Sequence, residues 1–122
     1  MCKRGDIYLA DCGRGDNDSS LQRGVRPVLV VSNDKANTYS PVVTVVPLTS
    51  RTRKKRSLPT HVLIPRAKGY GLTRPSVALA EQVTAIDKDR LTKLWGHVTD
   101  QGLMARVTAA LLIQIGVVGC KH

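Results

Sequence analysis

The chain predicts an α+β domain: a small, strongly bent antiparallel sheet or barrel closed by a C-terminal helix. Three observations lead there. Short β-branched runs bounded by turn residues recur from residue 7 to residue 86. Apolar residues take helical spacing only near the C-terminus, which segregates the helix from the strands. A length of 122 residues supports one hydrophobic core rather than two, and no repeat, low-complexity linker or composition break divides residues 1–122.

Residues 7–11 alternate weakly and read as a first strand, followed by the polar, glycine-containing loop Gly13-Arg14-Gly15-Asp16-Asn17-Asp18-Ser19-Ser20. Residues 28–31 and 42–48 are β-branched runs without helical spacing, and read as strands buried on both faces. Asn33-Asp34 and Asn37-Thr38-Tyr39-Ser40-Pro41 supply turn chemistry between them. Residues 60–64 read as a fourth strand, Lys68-Gly69-Tyr70-Gly71 as a turn, residues 76–86 as one long fifth strand, and residues 95–98 as a short sixth. Leu103, Met104, Val107, Ala110, Leu111 and Ile115 then recur at three and four residues; Thr99 or Asp100 can cap that helix and Gly116 can end it.

The formal net charge of +10 and pI of about 10.1 call for an anionic partner: nucleic acid, an acidic protein or an anionic surface. No apolar run approaches the roughly 18 residues that span a bilayer, and the N-terminus lacks the apolar core of a signal peptide, so a cytoplasmic protein without membrane contact is expected. Cys2, Cys12 and Cys120 form neither a disulfide framework nor a metal-ligand spacing and read as structural thiols. His61, His97 and His122 are scattered, so neither a metal nor another cofactor is expected, nor is a histidine acid/base pair visible. Between Lys35 and Ala80 there is no acid, while Arg51, Arg53, Lys54, Lys55 and Arg56 crowd together. That cluster reads as a solvated loop, a localisation signal or the wall of a phosphate-lined groove.

The segment Gln22-Arg23-Gly24-Val25-Arg26-Pro27-Val28-Leu29-Val30-Val31 places an arginine at the mouth of an apolar strand. Its planar fork suits phosphate, and Pro27 restricts Arg26 to extended backbone. An ordinary strand entry with an exposed arginine is the other reading of this segment.

Five ordered pieces carry a family resemblance: Arg4-Gly5-Asp6-Ile7-Tyr8-Leu9-Ala10-Asp11, Gly24-Val25-Arg26-Pro27-Val28-Leu29-Val30, Val45-Val46-Pro47-Leu48-Thr49-Ser50, Pro75-Ser76-Val77-Ala78-Leu79-Ala80-Glu81-Gln82-Val83 and Ile86-Asp87-Lys88-Asp89-Arg90-Leu91. In this order and spacing the chain resembles the MazF/PemK family of toxin endoribonucleases from bacterial type II toxin–antitoxin pairs. The resemblance implies an SH3-like barrel with a packed helix and a homodimeric assembly. It also implies sequence-selective, metal-independent cleavage of single-stranded RNA (mRNA) through the 2′-hydroxyl, leaving a 2′,3′-cyclic phosphate and a 5′-hydroxyl. An acidic, MazE-like antitoxin is the implied protein partner.

Such a reaction needs a base, positive charge at the phosphate and a proton donor for the leaving oxygen. Arg26 is the first catalytic candidate, through its charge on the crowded phosphate, and Thr49, matching the family's catalytic threonine or serine, is the second. Gln82 matches a glutamine near bound RNA, while Glu81, adjacent on an expected strand, would face the other way and would repel phosphate unless paired. Ser19, Ser20 and Gln22 match the substrate-side loop, and Ser50, Arg51 and Arg53 follow Thr49 as further RNA-binding candidates. Leu21 stands where many relatives carry an acid, and Gln82 is followed by Val83-Thr84-Ala85 rather than a segment with arginine, so the general base stays open. Two rivals share the charge or the architecture: a non-catalytic nucleic-acid-binding module, and a CcdB-like toxin acting on DNA gyrase. The pairing of Arg26 with Thr49 favours cleavage, because binding alone needs no hydroxyl at that strand end.

Overall fold

The computed structural model describes residues 2–13, 24–51 and 58–119. Among the described residues seven strands run as β1 (Asp6–Asp11), β2 (Val25–Val30), β3 (Val42–Thr49), β4 (His61–Ile64), β5 (Ser76–Leu79), β6 (Thr84–Asp87) and β7 (Leu91–His97). Helix α1 (Asp34–Tyr39) lies between β2 and β3, and α2 (Gln101–Gln114) closes the chain. All pairings are antiparallel, in the order β4-β5-β3-β2-β1-β7, with β6 also on β3.

An α+β arrangement of antiparallel strands and one C-terminal helix therefore holds, while the barrel does not: among the described residues the ladder ends at β4 and β7 and the sheet is not closed. The fifth strand is also corrected. Residues 76–86 split into β5, a 3₁₀ turn at Ala80–Gln82, and β6. Pro47 gives the physical reason. On one side β3 pairs with β2 continuously, but on the other its rungs to β6 end at Val45 and those to β5 begin at Leu48. A central strand accepts a residue without an N–H where the partner changes, and the neighbouring chain steps over that gap through its own turn.

Two other elements differ from expectation. Asn33 and its neighbours start a helix instead of a turn: the Asn33 side chain accepts the Ala36 N–H at 2.8 Å as an N-cap. The buried Asn37 then fixes α1 by donating to the Ser32 carbonyl at 2.9 Å and the Asp34 carboxylate at 3.2 Å. The last strand starts at Leu91 and extends well upstream of residue 95. Gly71 and Gly96 explain how it is covered. A Cβ on Gly96 would meet the Gly69 carbonyl oxygen at 2.3 Å, and one on Gly71 would meet the Trp95 carbonyl oxygen at 2.2 Å, so the 69–71 turn lies directly on β7.

Side-chain alternation sorts the core onto two faces. Ile7, Leu29, Val46, Leu48, Val62, Ile64 and Ala78 pack with Leu103, Val107 and Ala110 of α2. Ala10, Val28, Val30, Val43 and Val45 form a smaller cluster with Cys2 on the opposite face. Strands β2 and β3 are thus buried on both sides, as their unbroken apolar runs required. Asp100 caps α2 by accepting the Leu103 N–H at 3.1 Å, and Gly116 follows its end at φ +81°, both as expected; Ile115 lies outside the core and is exposed.

Candidate functional site

Arg26 and Thr49 lie at the same end of the β2–β3 ladder. Val28 pairs with Pro47, Leu29 with Val46 and Val30 with Val45. The last β2–β3 pair is Val28 with Pro47; Arg26 lies two residues before Val28 on β2 and Thr49 two residues after Pro47 on β3. Alternation puts both on the face of Val28, Pro47, Val30 and Val45, the face that α2 does not cover.

Each is held from its other flank as well. Arg26 pairs with Ala10 of β1, and just before it Gly24 exchanges hydrogen bonds with the facing strand, Cys12 N–H to Gly24 O at 2.8 Å and Gly24 N–H to Gly13 O at 2.7 Å. Thr49 pairs with Val77 of β5 and is buried, with 6% exposure. Its hydroxyl accepts the Arg51 N–H at 3.2 Å, which leaves the hydroxyl hydrogen to donate elsewhere. Arg26 is half-buried, two residues from Val28 of the smaller apolar cluster.

A cleft of about 580 Å³ is lined by Asp11, Pro47, Glu81, Gln82, Asp87 and Arg90 among others, with neither Arg26 nor Thr49 in its wall. Pro47 belongs both to the cleft and to the face carrying Arg26 and Thr49. The electrostatics differ from a uniformly basic groove. The acid-free middle of the chain forms β3 to β5 and contributes Val42 and Pro47, but most of the cleft's wall comes from residues 11–13, 81–87 and 90, where the acids lie. Arg90 offsets part of that charge and reaches back to the Asp11 carbonyl at 3.4 Å. Asp11 and Arg90 were not singled out from sequence as site residues, although both fall in resemblance segments. Burial raises the Cys2 thiol and the Tyr8 phenol above their ordinary values, keeping the cluster beneath this face uncharged there.

Glu81 and Gln82 do not alternate across a strand; they share the 3₁₀ turn, and both line the cleft. Glu81 is paired, though not with arginine: Thr60 Oγ1 donates to its Oε1 at 2.9 Å and His61 Nε2 donates to its Oε2 at 2.8 Å. His97 is likewise tied to a carboxylate, its Nδ1 lying 2.7 Å from Asp6 Oδ1. Ser50 and Arg51 are exposed directly after β3. Ser19, Ser20, Gln22 and Arg53 lie outside the described residues. Among the described residues no group of three or more His, Cys, Asp or Glu side chains could hold a metal ion, and no helix is long and apolar enough to cross a membrane.

Fold and site define a class: a basic α+β domain, one antiparallel sheet with a closing helix, that carries a guanidinium and a hydroxyl at one ladder end and an open cleft. The particular family follows from comparison. Residues 3–115 match the model of the PemK-like, MazF-like toxins of type II toxin-antitoxin systems, and the chain belongs to that family. It is 46% identical over 118 residues to endoribonuclease EndoA of Bacillus subtilis, covering 97% of each chain, and 41% identical over 116 residues to endoribonuclease MazF of Staphylococcus saprophyticus, covering 95% of this chain and 92% of that one. Among solved structures it is similar to a mycobacterial endoribonuclease in complex with its cognate antitoxin, at 28% identity and TM-score 0.75 over 97% of this chain and 98% of that one. The fold alone is shared with MazF from Deinococcus radiodurans, at 23% identity and TM-score 0.76 over 94% and 96% of the two chains. The protein is a type II toxin endoribonuclease.

Proposed function

We propose that the chain cuts single-stranded RNA at selected sequences without a metal, on the face carrying Arg26 and Thr49. The 2′-hydroxyl oxygen attacks the adjacent phosphorus as it loses its proton, the bond from phosphorus to the 5′-oxygen breaks, and that oxygen takes up a proton. The products are a 2′,3′-cyclic phosphate and a 5′-hydroxyl. Arg26 neutralises the charge that gathers on the non-bridging oxygens, and the Thr49 hydroxyl donates to one of them. Gln82, with a donor and an acceptor on its amide, reads a base lying in the cleft. Ser50 and Arg51, together with Ser19, Ser20, Gln22 and Arg53, bind flanking RNA.

The single observation that supports this reading is the β2–β3 register, whose last pair, Val28 with Pro47, leaves Arg26 and Thr49 at the same end of the ladder. The active form is a cytoplasmic homodimer of one SH3-like domain per chain. An acidic antitoxin segment, folding as it binds, competes with RNA for the basic surface; the net charge of +10 and the antitoxin bound to the mycobacterial relative support that partner. The test is cleavage of a long unstructured RNA in excess EDTA with end-group analysis, beside Arg26→Ala and Thr49→Ala. Discrete cuts ending in cyclic phosphate, lost in both folded variants, support the assignment. RNA bound but left intact by wild-type protein would replace it with a binding module or a protein-targeting toxin.

A further inference from the structure

One imidazole ties together two parts of the site that are distant in sequence. His61, opposite Leu79 at the start of edge strand β4, has a side chain only 8% exposed. Its own N–H donates to the Leu58 carbonyl at 2.9 Å, and the Leu58 N–H returns a bond to Nδ1 at 3.3 Å. With Nδ1 accepting, the ring proton sits on Nε2 and donates to Glu81. Thr60 occupies the other Glu81 oxygen, and its carbonyl accepts the Ala80 N–H at 3.0 Å. Within the turn itself, the Val83 N–H bonds to the Ala80 carbonyl at 3.1 Å. Both ends of the Ala80–Gln82 turn, and the carboxylate in its middle, are therefore fixed, and Gln82 is the next residue along.

We infer that His61 is a positioning residue for substrate selection. Through Glu81 it sets the turn that presents Gln82 to the cleft, and through Leu58 it holds the chain just beyond the basic run that contains Arg51 and Arg53. The same bonds restrain a carboxylate at the cleft wall. With both oxygens engaged by donors, Glu81 stays turned toward β4 rather than toward a phosphate. The inference rests on the reading of Gln82 as the base-contacting residue.

The experiment measures selectivity as the ratio of kcat/KM for an RNA carrying the mapped cleavage site to that for RNAs changed at single bases beside the cut. His61→Ala and Glu81→Gln are expected to lower that ratio about tenfold, the scale of one well-made base contact. His61→Gln, whose amide can still donate toward Glu81, retains most of it. In the Gln82→Ala background, adding His61→Ala lowers the ratio no further, a non-additivity that a merely structural role would not produce. Should His61→Ala lose its fold, Glu81→Gln carries the same expectation. If Gln82→Ala collapses the ratio while folded His61→Ala and Glu81→Gln preserve it, the positioning role is overturned and the base-reading role stands. If Gln82→Ala leaves the ratio unchanged, the base-reading role falls and the positioning role falls with it.

Discussion

Thr49→Val separates the chemistry of this site from its packing. The substitution keeps a β-branched shape at a strand end that is 6% exposed and removes one oxygen. The bond lost to the fold is the 3.2 Å contact from the Arg51 N–H, and Arg51 is exposed, so water can take over that donor. Stability should therefore change by about 1 kcal/mol or less, a shift of about 5 °C or less in the melting midpoint. The activity cost is larger. A hydroxyl donating to an oxygen that gains charge in the transition state contributes about 1.5–3 kcal/mol, so kcat/KM should fall roughly 10- to 150-fold. Thr49→Ser, which restores the oxygen, should recover most of that loss. Single-turnover cleavage of an end-labelled RNA, beside calorimetry of the same preparations, measures both quantities. Cleavage by Thr49→Val within about twofold of wild type, with a normal melt, would refute the hydroxyl's role.

Further outcomes follow from the same contacts. Gly96→Ala forces a Cβ into the Gly69 carbonyl oxygen at 2.3 Å and the Tyr70 carbonyl oxygen at 2.4 Å; backbone must move on one side, and thermal melting should show a loss of about 3 kcal/mol or more. Leu103→Ala, at a position 1% exposed between α2 and the sheet, should cost about 2–5 kcal/mol in urea titration. Asp34 tests electrostatics near the surface. The Arg4 backbone N–H, and next the Asn37 amide, hold its carboxyl below the usual aspartate value. A depressed folded value means a contribution fully present above the unfolded value of about 4 and lost as pH falls through the folded one. Asp34→Asn should therefore be less stable than wild type at pH 7, with the gap in urea midpoint narrowing on acidification below about pH 4; a gap that widened there would reverse the sign.

Much of the fold is legible in the chain because periodicity reports burial. The apolar runs through Val28–Val31 and Val42–Leu48 mark strands covered on both faces, and the three-and-four spacing of Leu103, Val107 and Ala110 marks the stripe that α2 buries. What the runs do not report is which neighbour each residue faces. The break at Ala80–Gln82 depends on partner exchange along β3, visible in sequence only as a proline in a central strand. Helix α1 depends on the Asn33 cap and the buried Asn37, residue types that serve turns equally well. The site divides in the same way. Arg26 and Thr49 stand out by their chemistry at strand ends, whereas the His61–Glu81–Thr60 linkage joins residues some 20 positions apart whose meeting only the pairing of β4 with β5 arranges. The acids along the cleft likewise follow from which segments wall it, a tertiary fact that charge counting along the chain does not contain.

The most direct measurement is amide and side-chain NMR mapping of an RNA that carries a 2′-deoxy nucleotide at the mapped cut, so that binding proceeds without cleavage. Shift changes centred on Arg26, Thr49 and Gln82, with α2 unaffected, are the expected result. Saturable binding that perturbs α2 or the β4 edge while Arg26 and Thr49 stay unmoved would contradict the assignment of RNA cleavage to this face.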